Sequence, residues 1–249
     1  MNLNEKKVIL TGGARGLGRA MLDSLLDRHA KVAVFDIDAG ALAILKEQRP
    51  EVNCVECDVA DHVSVVKALK HYHETYGSAD VLINNAGILY SAPLVRISMG
   101  GIERHDVAMW NKVMATNLYS VFYMTSCVVE KMITTRTKGV IVNISSISSL
   151  GNAGQSAYSA AKAAVNALTV TWSKELSPMG IRVTAVAPGF TETESTRQAL
   201  SESVLNETIK KVPLRRLGKP EEIADGVIWV IENDFFNGKI LSLDGGLVL

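Results

Sequence analysis

The chain has 249 residues, of which 47% are hydrophobic and 21% are charged, so it can bury a large core, and we expect a single domain spanning residues 1–249. Lysine plus arginine and aspartate plus glutamate both number 26, so there is no net basic field to attract nucleic acid or an anionic membrane surface. No apolar run reaches 18 residues, and we therefore expect a protein that acts on a small molecule, with neither a nucleic acid nor a membrane as partner.

The cysteine pattern favours a cytoplasmic location with reduced thiols. Cys54, Cys57 and Cys127 are an odd number in a chain with an ample core, and the N-terminus passes directly into a predicted strand without a secretion signal. Cys54 and Cys57 form a C-x-x-C pattern, but no second Cys/His pair follows at zinc-finger spacing. We predict no metal site.

Short apolar runs recur along the chain, each followed by a longer stretch with helical period. Strands that alternate with helices are joined by parallel crossovers, and nearly apolar strands are covered by helices on both faces. We predict an α/β fold of the doubly wound Rossmann type, with a parallel sheet of about seven strands. The predicted strands are KVIL, KVAVF, VNCVEC, ADVLIN, GVIVNIS, IRVTAVA and KILSLD.

A glycine-rich stretch follows the first predicted strand. In TGGARGLGRA, Gly12, Gly16 and Gly18 lead into a helix, with Arg15 and Leu17 between them. Glycines let the backbone turn tightly and approach a pyrophosphate, whose charge is favoured by the free N–H groups of a helix N-terminus. The spacing G-x-x-x-G-x-G differs from the standard dinucleotide fingerprint, but its place between strand and helix predicts a dinucleotide-binding loop.

The end of the second strand bears on the choice of dinucleotide. Asp36 lies 18 residues beyond Gly18, where a carboxylate can accept hydrogen bonds from the adenosine ribose and would repel a 2′-phosphate. This favours NAD(H) over NADP(H). Arg15 is the counter-indication, because a guanidinium in the loop could pair with a 2′-phosphate. Asp38 is an alternative ribose ligand, and an ordinary turn is an alternative role for Asp36.

Tyr158 and Lys162 lie four residues apart in SAYSAAKAAV, on the same face of a predicted helix. A free tyrosine has a pKa of about 10, and lowering it to about 7 requires roughly 4 kcal/mol. A cation about 4 Å away supplies that amount at an effective dielectric constant of about 20. The pair therefore predicts a proton-transfer site, although a surface contact is the default reading of such a pair in an arbitrary helix.

The polar segment 190–215 interrupts the alternation between the sixth strand and the last helix. Because loops at the carboxyl ends of parallel strands form the binding crevice, we predict that it covers the substrate as a lid.

Seven motifs, in order along the chain, resemble those of the short-chain dehydrogenase/reductase family over essentially the full length. They are TGGARGLG (11–18), CDV (57–59), NNAG (84–87), TNLYS (116–120), IVNISS (141–146), YSAAK (158–162) and PGFTET (188–193).

This resemblance implies an NAD(P)(H)-dependent oxidoreductase. It implies that Tyr158 is the general acid/base, that Ser145, thirteen residues earlier, binds the substrate oxygen, and that Lys162 binds the nicotinamide ribose. Asn117 would hold a water in a proton relay. Ser146, Ser148 and Ser149 are neighbouring hydroxyls, and only the family spacing selects Ser145. The resemblance also implies cofactor contacts from Asp58, Val59, Asn85, Ala86, Gly87, Pro188, Gly189, Thr191 and Thr193.

The tail IENDFFNGKILSLDGG resembles the type 2 3-hydroxyacyl-CoA dehydrogenase branch, and so does the long segment before the fourth helix. Similar endings occur in 3-oxoacyl-(acyl-carrier-protein) reductases, which normally use NADPH. Arg215, Arg216 and Lys219 are candidate residues for docking their acidic carrier, and an ordinary solvated loop is the alternative reading of these residues. The leading hypothesis is NAD(H)-linked interconversion of a secondary alcohol and a ketone, on a 3-hydroxyacyl thioester or another lipid-like compound. Hydroxysteroid dehydrogenation and a non-catalytic nucleotide-binding redox sensor or scaffold are alternatives.

The resemblance also implies a homotetramer. The helix over 156–177 carries small residues, among them Ala160, Ala164 and Ala167, which let another helix approach closely. They fit equally well against the helix's own sheet.

Overall fold

The computed structural model describes residues 1–98, 100–199 and 202–248. Its main sheet contains seven parallel strands: β1 (Lys7–Thr11), β2 (Lys31–Asp36), β3 (Asn53–Glu56), β4 (Val81–Asn84), β7 (Gly139–Ile144), β8 (Ile181–Pro188) and β9 (Ile240–Leu243). Each overlaps one of the apolar runs from which a strand is predicted. Their spatial order is β3-β2-β1-β4-β7-β8-β9.

Helices cover both faces of this sheet. One buried cluster joins the sheet to α1 (Gly16–Leu26), α2 (Ala39–Gln48) and α9 (Pro220–Glu232). A second cluster on the opposite face joins it to α3 (His62–Tyr76), α5 (Ser120–Thr134) and α6 (Ser156–Leu176). Successive side chains of a strand point to opposite faces, so strands enclosed on both sides must be apolar throughout. The predicted doubly wound α/β fold is confirmed.

The chain reverses its direction of travel across the sheet between β1 and β4. From β1 it moves outward to β2 and β3, then returns to β4 on the other side of β1 and continues toward β9. In open α/β sheets this reversal leaves a crevice beyond the carboxyl ends of the two strands. The glycine-rich loop follows β1, and Asn85, Ala86 and Gly87 follow β4, so two of the predicted cofactor-binding segments border this crevice.

The segment between β4 and α4 (Val107–Met114) forms an antiparallel ribbon of β5 (Val95–Ser98) and β6 (Gly101–Arg104). All eight residues of these two strands are exposed. The ribbon accounts for the length of this segment and was not predicted as a pair of strands, because short exposed strands contribute no buried apolar run.

The predicted lid at 190–215 contains α7 (Glu194–Ala199) and α8 (Glu202–Lys211), while Leu200 and Ser201 lie outside the described residues. Val212 packs with Ile147, which follows β7, and with Leu247 near the C-terminus. This contact ties the end of the segment to the loop that carries the candidate serines.

Cys54 and Cys57 pack on opposite faces of the sheet, Cys54 with the first cluster and Cys57 with the second. An odd separation along an extended chain sends two side chains to opposite sides, so the C-x-x-C pattern brings no thiol pair together. Over the described residues, no group of three metal-ligating side chains is close enough to hold an ion, and no helix is long and apolar enough to cross a membrane.

Candidate active site

The glycine-rich loop lies between β1 and α1 and is tied to the residues after β4. Gly12 and Gly16 have φ of +65° and +55°, a region that favours glycine. A Cβ on Gly18 would lie 2.0 Å from the carbonyl oxygen of Gly12, so only glycine allows this approach. The Asn85 Nδ2 donates to the carbonyl oxygens of Thr11 and Gly12, both at 2.9 Å.

The start of α1 suits an anion. Arg15 occupies the N-cap position, and within the described structure its side chain makes no capping hydrogen bond, so the first N–H groups of the helix, beginning at Gly16 and Leu17, are available to a ligand. Ala86 packs directly against the loop, since a Cβ on Gly12 would meet its Cα at 2.9 Å. The geometry forms a cradle that a pyrophosphate fits and that side chains would fill.

Asp36 faces this loop from the end of β2. Its carboxylate accepts hydrogen bonds from the backbone N–H of Ala14 at 3.2 Å and of Asp38 at 3.1 Å, and it is partly exposed. Asp38 has other partners: it accepts the N–H of Ala41 at the start of α2 at 2.8 Å and pairs with Arg15. The hydrogen bond from Ala41 is the main cause that lowers the pKa of Asp38. Asp36 thus contacts the backbone of the loop, whereas Asp38 caps α2 and pairs with the loop's Arg15 side chain.

Asp58 and Val59 follow β3, next to β2 in the sheet. The Asp58 carboxylate accepts the N–H of Ala60 at 2.9 Å, which fixes the turn, and Val59 is buried. The turn therefore lies at the same carboxyl edge of the sheet as Asp36.

Asn117 lies in a π-helical turn, Ala115–Tyr119, between α4 and α5. Its side chain bonds both backbone groups of Ile88: Oδ1 accepts the N–H and Nδ2 donates to the carbonyl, each at 2.8 Å. Gly87 is adjacent, since a Cβ there would lie 3.2 Å from the Asn117 Oδ1. These two bonds hold the Asn117 side chain against the backbone that follows β4.

Tyr158 and Lys162 lie one turn apart in the first half of α6. The Lys162 Nζ is 5.7 Å from the centroid of the Tyr158 ring and donates to the carbonyl of Ile144 at 2.7 Å. Lys162 is 4% exposed, and burial lowers its pKa to about 8. The ammonium is thus held between the end of β7 and the tyrosine ring.

The pKa of Tyr158 differs from the sequence-based expectation. Burial raises it above the ordinary tyrosine value, and a hydrogen bond with Ser146 opposes that rise. In this structure Lys162 is directed at Ile144 and lies beside the ring, so its charge does not offset the desolvation of the phenol.

The two adjacent serines at the end of β7 have different surroundings. The Ser145 hydroxyl is 2% exposed and points to the carbonyl of Lys162 at 3.4 Å, toward the interior. A hydrogen bond with Ser146 is the cause that opposes the raised pKa of Tyr158, and the Ser146 Oγ accepts the N–H of Ser148 at 3.1 Å. Among the described contacts, the Ser145 hydroxyl has the carbonyl of Lys162 as its partner. Ser146, one residue later, is a second candidate hydroxyl for the site.

The residues after β8 lie beside this group. Pro188 ends β8. The next residue, Gly189, packs against Asp244, since a Cβ on Gly189 would lie 2.7 Å from the Cα of Asp244. The Thr191 hydroxyl donates to the carbonyl of Gly189 at 3.2 Å, and the Thr193 hydroxyl bonds Thr196. Because β8 neighbours β7, this turn adjoins the Tyr158 group at the same edge of the sheet.

The comparisons with known proteins agree with this arrangement. Residues 6–203 match the model of a protein family described as short chain dehydrogenase. The chain belongs to the short chain dehydrogenase family. It is an oxidoreductase of that family, and the resemblance drawn from the seven motifs is confirmed.

The relatives cover the whole chain. The 3-oxoacyl-(acyl-carrier-protein) reductase FabG of Thermotoga maritima is 38% identical and matches 100% of both chains. The protein of the same name in Escherichia coli is 33% identical, again over 100% of both chains. A crystal structure of a putative gluconate dehydrogenase from Agrobacterium tumefaciens has a TM-score of 0.90 at 29% identity, covering 99% of this chain and 97% of that one.

Proposed function

We propose that this enzyme interconverts a secondary alcohol and a ketone by hydride transfer with a nicotinamide dinucleotide, on a 3-hydroxyacyl or 3-oxoacyl thioester. The observation that carries the proposal is the grouping of Tyr158 and Lys162 with the end of β7, at the same carboxyl edge of the sheet as a loop that fits a pyrophosphate. Hydride transfer leaves charge on the substrate oxygen, which must exchange a proton with the protein. The dinucleotide supplies the hydride when it is bound.

Tyr158 is the group that exchanges this proton in the proposal. Its partly buried phenol stays protonated without a ligand, which suits donation to the oxygen of a ketone that is being reduced. In the alcohol-oxidising direction the phenol must ionise, and an ammonium beside the ring favours that form. Lys162 is placed to do so if it turns from Ile144 toward the phenol and the nicotinamide ribose.

In this proposal Ser146 binds the substrate oxygen, the role that the family spacing assigns to Ser145. Its hydroxyl bonds Tyr158, so a substrate oxygen that binds the phenol also lies within reach of Ser146. Two hydroxyls that converge on one oxygen stabilise the charge that develops there. Ser145, which points to the backbone of α6, instead fixes the helix against the end of β7.

For the dinucleotide we propose NAD(H). Asp36 lies against the loop with a partly exposed carboxylate, where it can accept from a ribose and disfavours a 2′-phosphate. Arg15, the counter-indication, is paired with Asp38. That pair is exposed and therefore weak, so the stronger support is the position of Asp36.

For the substrate we propose a lipid-like acyl group. Three segments that border the carboxyl edge of the sheet carry largely exposed leucines: Leu94 before the β5–β6 ribbon, Leu150 after β7 and Leu214 after α8. An apolar rim of this kind suits an acyl chain better than a sugar acid. The relatives named as 3-oxoacyl reductases support the same class.

Delivery on an acidic carrier has less support. Of the candidate docking residues, Arg216 forms a two-pronged ion pair with Glu222, at 2.7 and 2.6 Å, and Arg215 bonds the carbonyl of Lys210. The charge of Arg216 is offset by Glu222, so we favour a small thioester as substrate over a carrier-bound one.

Steady-state kinetics test the proposal. With a 3-oxobutyryl thioester we expect turnover, with kcat/KM higher for NADH than for NADPH. Asp36→Ala should narrow that ratio by on the order of tenfold, because it removes the group that repels the 2′-phosphate. A higher kcat/KM with NADPH in the wild type would overturn the choice of dinucleotide. Turnover of gluconate but not of the thioester would overturn the substrate class.

We also propose a homotetramer. Leu118, Tyr119 and Phe122 border a hollow between α5 and α6 together with Ala164 and Leu168. Tyr119 and Phe122 are 48% and 53% exposed, which is unusual for adjacent aromatic side chains on a monomer. The small residues of α6 allow a partner's helix to approach this face closely.

A further inference from the structure

Four polar side chains form a hydrogen-bonded row inside the core, which we name the polar ladder: Asn84, Thr125, Asn143 and Thr169. None is more than 4% exposed. The row runs along one face of the sheet, from α5 past the ends of β4 and β7 to α6, on the face that carries Tyr158 and Lys162. The proposed reaction assigns it no role.

The contacts of the polar ladder are short and continuous. Asn84 on β4 donates to Thr125 on α5 at 3.0 Å and to the side-chain oxygen of Asn143 on β7 at 2.9 Å. Asn84 and Asn143 are direct neighbours across the two parallel strands. Asn143 in turn donates to the Thr169 hydroxyl on α6 at 2.9 Å, and that hydroxyl donates to the carbonyl of Val165 at 2.8 Å.

Both ends of the Asn143–Thr169 contact lead to the proposed active site. Asn143 precedes Ile144, whose carbonyl holds the Lys162 ammonium. Thr169 lies seven residues, or two turns, after Lys162, and therefore on the same face of α6. A shift of Thr169 along or around the axis of α6 would be passed to Lys162 and Tyr158 by the same rigid helix.

With apolar packing alone, such a shift of the helix has a small free-energy cost, because the hydrophobic effect is non-directional. Hydrogen bonds require a narrow range of distance and angle, and a buried one that is broken leaves an unsatisfied group. A directional contact between β7 and α6 is therefore suited to fix the position of the helix. Proton transfer needs this, because a misplacement of about 1 Å can cost on the order of a hundredfold in rate.

We propose that Asn143 and Thr169 are positioning residues, which hold α6 against β7 so that Tyr158 and Lys162 meet the substrate and the end of β7 correctly. The inference rests on the proposed roles of Tyr158 and Lys162. It concerns residues that touch neither substrate nor dinucleotide.

A series at Thr169 tests the proposal by kinetics. Thr169→Val keeps the shape and removes the hydroxyl, whereas Thr169→Ser keeps the hydroxyl. The matched control is Thr184→Val on β8, where the threonine is equally buried and its hydroxyl donates to the carbonyl of Lys239 at 3.0 Å. We expect kcat to fall by about tenfold or more in Thr169→Val, with the KM for the dinucleotide within about twofold of wild type. Thr169→Ser and Thr184→Val should keep kcat near the wild-type value.

Equal kcat in Thr169→Val and wild type, or an equal loss in Thr184→Val, would overturn the proposal. If Thr169→Val does not fold, Thr169→Cys replaces it, since a thiol is a weaker hydrogen-bonding group; a reduced kcat supports the proposal and a wild-type kcat overturns it.

Hydrogen exchange separates this inference from the proposed reaction. Backbone amides of residues 156–163 should exchange faster in Thr169→Val than in wild type and remain unchanged in Thr184→Val, measured without substrate. Unchanged exchange in both variants overturns the positioning role even if turnover is found. If exchange is faster only in Thr169→Val and the protein reduces no thioester, the positioning role of Asn143 and Thr169 stands and the proposed substrate class is rejected.

Discussion

Ser145 and Ser146 show how much depends on one position in the chain. The backbone leaves β7 in an extended conformation at this point, so consecutive side chains point in opposite directions. Ser145 therefore reaches α6, and Ser146 reaches the phenol of Tyr158. A count of residues back from the tyrosine depends on the length of the intervening loop, and a difference of one residue selects a different hydroxyl. The sequence identifies the serine-rich turn but not which serine faces the substrate.

Alanine substitution separates the two serines. We expect Ser146→Ala to lower kcat/KM by about a hundredfold or more, as is typical when one donor to a developing oxyanion is removed. Ser145→Ala should cost no more than a few-fold, because its long hydrogen bond to the helix backbone contributes little. Both variants should bind the dinucleotide as the wild type does. A larger loss in Ser145→Ala than in Ser146→Ala would restore the assignment made from the spacing.

Lys162 carries a second residue-scale prediction. Its pKa is about 8 in the folded chain and about 10.5 when exposed, so between these pH values the unfolded chain binds the proton and the folded chain does not. Stability must then rise with pH across this window, by up to about 3 kcal/mol. Below pH 8 both states are charged and the folded protein retains the full cost of burying the ammonium.

Urea unfolding at pH 7.5 and pH 10 measures this effect against Lys162→Met, which has no titrating group. We expect the free energy of unfolding of the wild type, minus that of Lys162→Met, to increase as the pH rises. Lys174→Met, at an exposed position of the same helix, is the control and should show no such trend relative to wild type. A difference between wild type and Lys162→Met that stays constant or shrinks would show that Lys162 is not held as a buried cation.

At the scale of elements, the strands that are buried could be predicted from the sequence and the exposed ones could not. The seven strands of the main sheet could be predicted because helices cover both of their faces, which requires continuous apolar runs such as VLIN and GVIVNI. The β5–β6 ribbon has no such requirement, since Ile97 and Ile102 are exposed opposite each other. The π turn at Asn117 could not be predicted from the sequence either. The Asn117 side chain contacts the backbone of Ile88, which lies 29 residues earlier in the chain.

The close contact between Gly18 and Gly12 gives an element-scale prediction. Gly18→Ala would place a methyl group 2.0 Å from a backbone oxygen, so β1 and α1 must separate. We expect the dissociation constant of the dinucleotide to rise by on the order of tenfold or more and the free energy of unfolding to fall by about 2 kcal/mol or more. In Gly40→Ala, on α2, the new Cβ would make only an ordinary contact at 3.4 Å. The free energies of dinucleotide binding and of unfolding should therefore both stay within about 1 kcal/mol of wild type. Isothermal titration and urea unfolding of the two variants provide the comparison.

At the scale of the whole molecule, the exposed aromatic face of α5 and its neighbouring turn supports the proposed tetramer. We expect light scattering at micromolar concentration to give four times the chain mass of 26.9 kDa. Phe122→Glu should lower that mass, because a carboxylate in an apolar interface is costly to bury. Ile44→Glu, at a similarly exposed position on α2, should not change it. A wild-type monomer would contradict the proposal, whatever the variants show.

The account as a whole assigns proton transfer to Tyr158 and dinucleotide binding to the loop and strand ends around it. The measurement that tests this most directly is turnover and dinucleotide affinity in Tyr158→Phe, with Tyr76→Phe as the control at a partly exposed tyrosine of α3. We predict that Tyr158→Phe loses kcat by about a thousandfold or more, while the dissociation constant of NADH stays within a few-fold of wild type. A Tyr158→Phe enzyme that keeps wild-type kcat would contradict the central claim.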